Sequence, residues 1–311
     1  MSFEIFTDSA ANLPDDLRIA HNINVIPFFY LVNGKEYLCL EEGVPFRETA
    51  KQVYAQVRAG AEIKTSLIGE QRYVDAITPS LQAGKDVLII TIASGISGTY
   101  AQALEAQKQL QKDFPERTIV VRDSANASLG QGLLVLKAAS LREMGESLES
   151  CAKWLDDNTY CLNSYLTVGD LKYLRRSGRI SSVTAIAGAI LNIKPIIKAD
   201  GGHNAKLVIA GREHGRKKAL GALVTAFREN VIHPENQTIA IAHADCEEEA
   251  LALAETLKGL GAREVIVEYY DICSGVHAGP GTLAVFFLGK DRKAPAAATA
   301  PIAKPAFHKA K

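Results

Sequence analysis

The stretch Val87-Leu88-Ile89-Ile90-Thr91-Ile92, followed by Ala93-Ser94-Gly95-Ile96-Ser97-Gly98-Thr99, constrains the fold more than any other part of the chain. A short apolar, β-branched run bounded by turn residues reads as a buried strand. Beyond the loop, Tyr100, Ala103, Leu104, Gln107 and Leu110 recur at helical spacing. Strand, glycine-bearing hydroxyl loop and helix in that order present hydroxyls and unpaired N–H groups above the strand's carboxyl end. Helix dipole and orphan donors there favour an anion.

The same order recurs along the first half. Phe3 to Phe6 reads as a strand ending in Thr7-Asp8-Ser9, and Asn24 to Leu31 as a second strand. Asn33-Gly34 marks a turn with Tyr37 to Leu40 as hairpin partner. Helices are expected over Pro45 to Arg58 and Gln71 to Leu81, while Lys64-Thr65-Ser66 begins no evident element. Thr118 to Val121 is another short strand, ending in Arg122-Asp123-Ser124 before a helix through Leu133, Leu136 and Ala139. Strands alternating with helices predict a parallel sheet covered on both faces, an α/β domain over residues 1–150. Ligands of such sheets bind beyond the strands' carboxyl ends. Asp8, Ser9, Ser66, Ser94, Asp123 and Ser124 are therefore candidates for the edge of a site, although Asp and Ser are also ordinary helix caps.

A helix from Ser147 to Asp156 bridges to a region of different rhythm. Cys161 to Val168 reads as a strand, Asp170 to Arg176 as a short helix, and Val183 to Leu191 as a small apolar run. Pro195 to Ala199 and Lys206 to Ala210 read as a hairpin, followed by a helix from Glu213 to Arg228. Thr238 to His243, Glu247 to Leu257 and Glu264 to Tyr270 form a strand–helix–strand unit, closed by a strand from Leu283 to Leu288. A mixed α+β domain is expected over 151–289. The Ala-, Pro- and Lys-rich 290–311 is expected to be a disordered tail.

Familiar chemistries fail one by one. Lys plus Arg and Asp plus Glu number 35 each, so nothing points to nucleic acid. No apolar run is long enough for stable membrane insertion, and the start runs into a strand without a signal peptide. Five scattered cysteines without C-x-x-C spacing suggest neither zinc nor disulfides, and fit a cytoplasmic protein. The seven histidines lack metal-ligand spacing, so neither metal nor cofactor is expected. Gly95-Ile96-Ser97-Gly98-Thr99 misses the nucleophile elbow because Thr99 stands where glycine is needed. There is no phosphate-binding G-x-x-x-x-G-K-[ST] loop. Two basic features remain. Arg179 lies between Gly178 and apolar Ile180, and His277 sits in Val276-His277-Ala278-Gly279-Pro280-Gly281-Thr282, which reads as a tight loop before the last strand.

Together these residues resemble the DegV family of bacterial fatty-acid-binding proteins. The matching motifs are Thr7-Asp8-Ser9, Lys64-Thr65-Ser66, Ser94 to Tyr100, and Asp123-Ser124 with Gly130-Gln131-Gly132. They continue with Leu174 to Ile180, Lys194-Pro195-Ile196 and His277 to Thr282, in the family's order. Leu67-Ile68 stand where the family often has Gln-Pro, and Ser177 where many members have glycine. The resemblance implies a carrier rather than an enzyme. It would hold one long-chain fatty acid between two domains and present the carboxylate to a separate fatty acid kinase, whose acyl phosphate feeds lipid synthesis. Thr65, Ser97, Gly98, Thr99 and His277 would bind the carboxylate, and Arg179 would assist phosphoryl transfer or docking. Val183 to Leu191 and Ile196-Ile197 suit an acyl tunnel. The competing expectation is an acyl-transferring or hydrolytic enzyme with Ser97 as nucleophile and His277 as base. A weaker one is a sensor of another small anion.

Overall fold

The structure, a computed structural model, describes residues 3–41, 43–180, 192–202 and 205–293. Its first half runs β1 (Phe3–Asp8), α1 (Asp15–Ala20), β2 (Ile23–Ile26), β3 (Phe29–Val32), β4 (Lys35–Leu38) and α2 (Phe46–Arg58). It continues through β5 (Ile63–Ser66), α3 (Glu70–Gln82), β6 (Asp86–Thr91), α4 (Thr99–Asp113), β7 (Ile119–Asp123), α5 (Leu129–Glu143) and α6 (Leu148–Asn158). The second half comprises β8 (Leu162–Thr167), α7 (Leu171–Ser177), β9 (Ile193–Ala199), β10 (Leu207–His214) and α8 (Arg216–Asn230). Last come β11 (Thr238–His243), α9 (Glu247–Gly259), β12 (Glu264–Tyr269), α10 (Ile272–Ala278) and β13 (Leu283–Leu288).

The first sheet, in the order β2-β1-β6-β7, is wholly parallel. Strand β6 explains why its sequence is continuously apolar. Val87 and Ile89 pack with Ile77, Leu81, Ala103 and Leu110 from α3 and α4. Leu88 and Ile90 pack with Leu134, Val135, Ala138 and Leu155 from α5 and α6. Helices on both faces leave no solvent side on which a polar residue would sit. The Thr7-Asp8 end of β1 is tied to β6 by side chains. Thr7 Oγ1 donates to Ile90 O at 2.8 Å, and Asp8 Oδ2 accepts from Ile92 N at 2.8 Å. Gln131 Nε2 completes the knot, donating to Thr7 Oγ1 at 2.9 Å and Asp8 Oδ1 at 3.0 Å.

The mixed six-stranded sheet, in the order β10-β9-β8-β13-β11-β12, shows the strand alternation expected of a sheet with two different faces. Phe287, Val285 and Ile196 pack under α8 and α9 with Phe227 and Leu257. Phe286, Leu166 and Ile197 face the other way, toward Tyr54, Leu129, Leu174 and Tyr270. Helix α10 then crosses back, burying Ile272, Cys273 and Val276 in the core of the first half. Its approach requires glycine, since a Cβ on Gly275 would lie 1.7 Å from Tyr54 Oη. That hydroxyl donates to Tyr270 O at 2.9 Å. Arg47 of α2 adds a second tie, donating to Glu268 Oε1 of β12 at 2.9 Å.

The structure corrects several boundaries. Asn24 to Leu31 is not one strand: Pro27, which cannot donate to a ladder, separates β2 from β3, and the two pieces join different sheets. Lys64-Thr65-Ser66 is strand after all, as β5 pairs antiparallel with β3 and sets Thr65 opposite Tyr30. Four residues without apolar alternation gave no local signal. Glu213 and His214 finish β10 rather than start α8. His277 lies in the last turn of α10, not in a loop. Asp271 caps that helix by accepting from Ser274 N at 2.7 Å, and Gly279, at φ 85°, ends it. Val183 to Leu191 lies outside the described residues. Lys290 to Lys293 lie against the body, Lys290 N donating to Asn230 O and Arg292 N to Tyr160 O. Among the described residues no helix is long and apolar enough to cross a membrane. Nor do three or more His, Cys, Asp or Glu gather there to hold a metal ion.

Candidate functional site

Where the carboxyl ends of the first sheet face the inner side of the mixed sheet, a cavity of about 290 Å³ opens. This is just below the ~300–1,000 Å³ usual for small-molecule sites. Phe28, Ile92, Ala127, Leu166, Ala199 and Phe286 make most of its wall apolar. Thr65, Ser66, Ser97, Gly98, Arg179 and His277 also line it. Among the described lining residues Arg179 is the only cation and none is acidic.

Each polar group is placed by a different element. Antiparallel pairing of β5 turns Thr65 inward, and α10 brings His277 from the far end of the chain. Thr65 Oγ1 and His277 Nε2 are 2.7 Å apart. Ser97 sits just ahead of α4, for which Gly98 is the N-cap residue. Its Oγ is 2.8 Å from Thr99 Oγ1 and accepts from Thr99 N at 3.3 Å. Thr99 itself is fully buried, so its hydroxyl orients Ser97. Arg179 is exposed, and its guanidinium and backbone N–H both turn back onto Ser177, which lines the same cavity.

Electrostatics suit an incoming anion. Burial, and then the nearby Arg179 and Arg176, lower the His277 pKa from 6.5 to about 4. The imidazole is therefore neutral near pH 7, so its charge is not already present to strengthen a hydrogen bond in the empty site. A carboxylate beside it would favour the protonated ring and raise that pKa. The stability consequence has a definite sign. Unfolded chains protonate this histidine near pH 6.5, whereas the fold resists until about pH 4, so His277 withdraws stability as pH falls through that window. His243, lowered to about 4 by burial, acts the same way. Asp8 and Asp271, pushed up to about 7 by burial, act oppositely: their share is full below pH 3.8 and is lost as pH rises toward 7. Replacing only His277 by glutamine is expected to reduce the loss of urea midpoint between pH 6.5 and 4.5 relative to the parent. Equal losses in both proteins would contradict a neutral His277.

The other sequence candidates do not line the cavity; they hold its walls. Ser9 Oγ accepts from Phe28 N at 3.0 Å, fixing the strand break that turns Phe28 inward. Ser94 N donates to the Asp123 carboxylate at 3.2 and 3.3 Å, and Ala125 N donates to Asp123 Oδ1 at 2.8 Å. Ser124 Oγ donates to Asn126 O at 2.9 Å, shaping the loop that carries Asn126 and Ala127 to the wall. Asp8 is buried in the knot with Gln131. Ile196 and Ile197 belong to the cores on either face of the mixed sheet and do not line the cavity.

Several lining residues escaped sequence reading. Ser164 and Phe286 are opposite one another in the β8–β13 pairing, and Leu166 shares a face with Ser164. Only the alternation within β8 hints at this, because the partner strand lies far along the chain. Cys273, Ser274 and His277 come together on α10, a grouping that the Asp271–Ser274 cap pattern would have revealed.

A family model described as "Uncharacterised protein, DegV family" matches residues 2–290. The chain is 36% identical over 294 residues to a DegV domain-containing protein of Clostridium perfringens, covering 94% of this chain and 99% of that one. Its fold is similar to that of a DegV family protein from Thermus thermophilus described by its fatty acid binding. The TM-score is 0.80 at 28% identity, covering 93% of this chain and 100% of the other. It is also similar to DegV of Bacillus subtilis, described as a fatty acid binding protein, with a TM-score of 0.77 at 30% identity and coverages of 93% and 100%.

Proposed function

The chain belongs to the DegV family, and from that premise we propose that it binds one long-chain fatty acid in this cavity. The carboxylate rests on Thr65, Ser97 and His277 with the N–H groups at Gly98 and the start of α4. Thr99 serves by holding Ser97, and the acyl chain lies against Phe28, Leu166 and Phe286. The carrying observation is the convergence of Thr65, Ser97 and His277, from three distant segments, on a mostly apolar cavity without acidic lining. A carboxylate taken out of water needs several donors, and an acyl chain needs an apolar wall. Fatty acid binding by the Thermus and Bacillus relatives supports the same reading. Organic extraction of the purified protein and mass spectrometry test it: a long-chain fatty acid is expected. The reading fails if none copurifies and none binds when added.

In this proposal the protein is a cytoplasmic carrier, not an enzyme, and needs neither metal nor cofactor. A domain boundary near residue 150 separates the loops around Ser97 from the segments bearing Arg179 and His277. The bound carboxylate is presented to a separate fatty acid kinase, in keeping with the lack of a phosphate-binding loop in this sequence. Arg179, exposed beside the site, suits the docking or phosphoryl-transfer step. Arg179→Ala is expected to leave fatty acid affinity within about twofold while slowing acyl phosphate formation at least tenfold. An unchanged phosphorylation rate removes that role. The hydrogen bonds weigh against Ser97 as a nucleophile: its hydroxyl pairs with Thr99, while His277 pairs with Thr65. A stable acyl-Ser97 adduct with turnover of activated acyl esters would reverse that judgement.

A further inference from the structure

Two cysteines meet where the Thr65-bearing sheet joins the His277-bearing helix. Cys39 directly follows β4, and its N–H donates to Phe28 O at 2.8 Å. Cys273, the second residue of α10, lines the cavity together with Phe28, Ser274 and His277. Both are free thiols, 3% and 6% exposed, with their sulfurs 3.0 Å apart. A disulfide needs about 2.05 Å, about 1 Å closer than the two sulfurs stand.

We propose that Cys39 and Cys273 form a reversible disulfide, closed by a peroxide-class oxidant that enters through the cavity, stapling the sheet that carries Thr65 to the helix that carries His277. Cys273 reacts first because it faces the cavity. Its thiolate attacks one peroxide oxygen, the O–O bond breaks, and the departing hydroxide takes the thiol's proton to leave as water. The resulting sulfenic acid is attacked at sulfur by the Cys39 thiolate, forming the S–S bond and expelling a second hydroxide, which takes the Cys39 proton. Two thiols lose two electrons, and one peroxide becomes two waters. A glutathione-type thiol reverses the step by exchange.

The staple acts through the sheet. Tyr30 of β3 stands opposite both Tyr37 of β4 and Thr65 of β5, so a bond at Cys39 restrains the strand that aims Thr65. Burial holds the Cys273 thiol well above its ordinary range, so little thiolate forms near neutral pH and oxidation quickens as pH rises. On the fatty acid reading proposed above, a bound acyl chain shields Cys273, and the closed staple slows lipid exchange.

The test treats the full chain with hydrogen peroxide at mildly alkaline pH, then counts thiols after denaturation and maps the linked peptides. Three of the five thiols are expected to remain, with Cys39 joined to Cys273 and thiol reductant restoring all five. Cys39→Ser should form no linked peptide and should stop at a Cys273 sulfenic acid that dimedone traps, with its other three thiols intact. Amide hydrogen exchange in β5 and α10 should slow at least tenfold on oxidation. Five surviving thiols, a linkage at other cysteines, or a bond that leaves amide exchange unchanged overturns the proposal. None of these readouts needs a lipid. Failure of either redox form to bind fatty acid would count against the binding reading alone.

Discussion

Thr65→Ala is expected to weaken binding of a long-chain fatty acid about ten- to a hundredfold, and Ser97→Ala by a similar factor. Each removes one hydroxyl donor from a carboxylate, a loss of about 1.5–3 kcal/mol for a hydrogen bond to a charged group. Folding should suffer little, because both side chains are only half-buried. The two losses should not simply add, since both hydroxyls serve one ligand group and His277 can shift once its Thr65 partner is gone. Isothermal titration of the single and double variants, with urea unfolding as a control, measures this. Unchanged affinity in both single variants would contradict the assigned site.

Ala127→Phe is expected to discriminate by chain length. Ala127 is half-buried on the loop after β7 and lines the cavity, so a phenyl ring there has open space to fill. Each methylene that loses its burial costs about 0.8 kcal/mol, so displacing about four costs about 3 kcal/mol. Hexadecanoic acid should therefore bind at least a hundredfold more weakly, while decanoic acid keeps most of its affinity. Competition against a fluorescent fatty acid reads both. Equal loss for the two acids, or none, would mean that the acyl chain runs elsewhere.

Much of this arrangement was legible locally. Buried parallel strands advertise themselves by continuous apolar runs, as in Val87 to Ile92, and the hydroxyl loop before α4 follows from turn and helix-start chemistry. Seven short motifs in family order carried the ligand class further than any single residue did. What stayed hidden was nonlocal. Pairing with β3 makes β5 a strand and turns Thr65 inward, although Ile63 to Ser66 carry no alternation of their own. His277 looked like a loop residue because the glycines after it dominate the pattern, whereas the Asp271 cap and burial against the first-half core make the preceding turn helical. The cavity floor at Ser164 and Phe286 depends on a register between strands more than a hundred residues apart. The loop residues around Asp8 and Asp123 were visible as polar clusters, yet local pattern does not distinguish a ligand contact from the hydrogen bonds that hold the loop.

Titrating delipidated protein with hexadecanoic acid and with its methyl ester near neutral pH tests the central claim most directly. The acid is expected to bind at one site per chain, with the ester at least tenfold weaker because it offers no carboxylate to Thr65, Ser97 and His277. Equal affinity for acid and ester would contradict a carboxylate site at these residues.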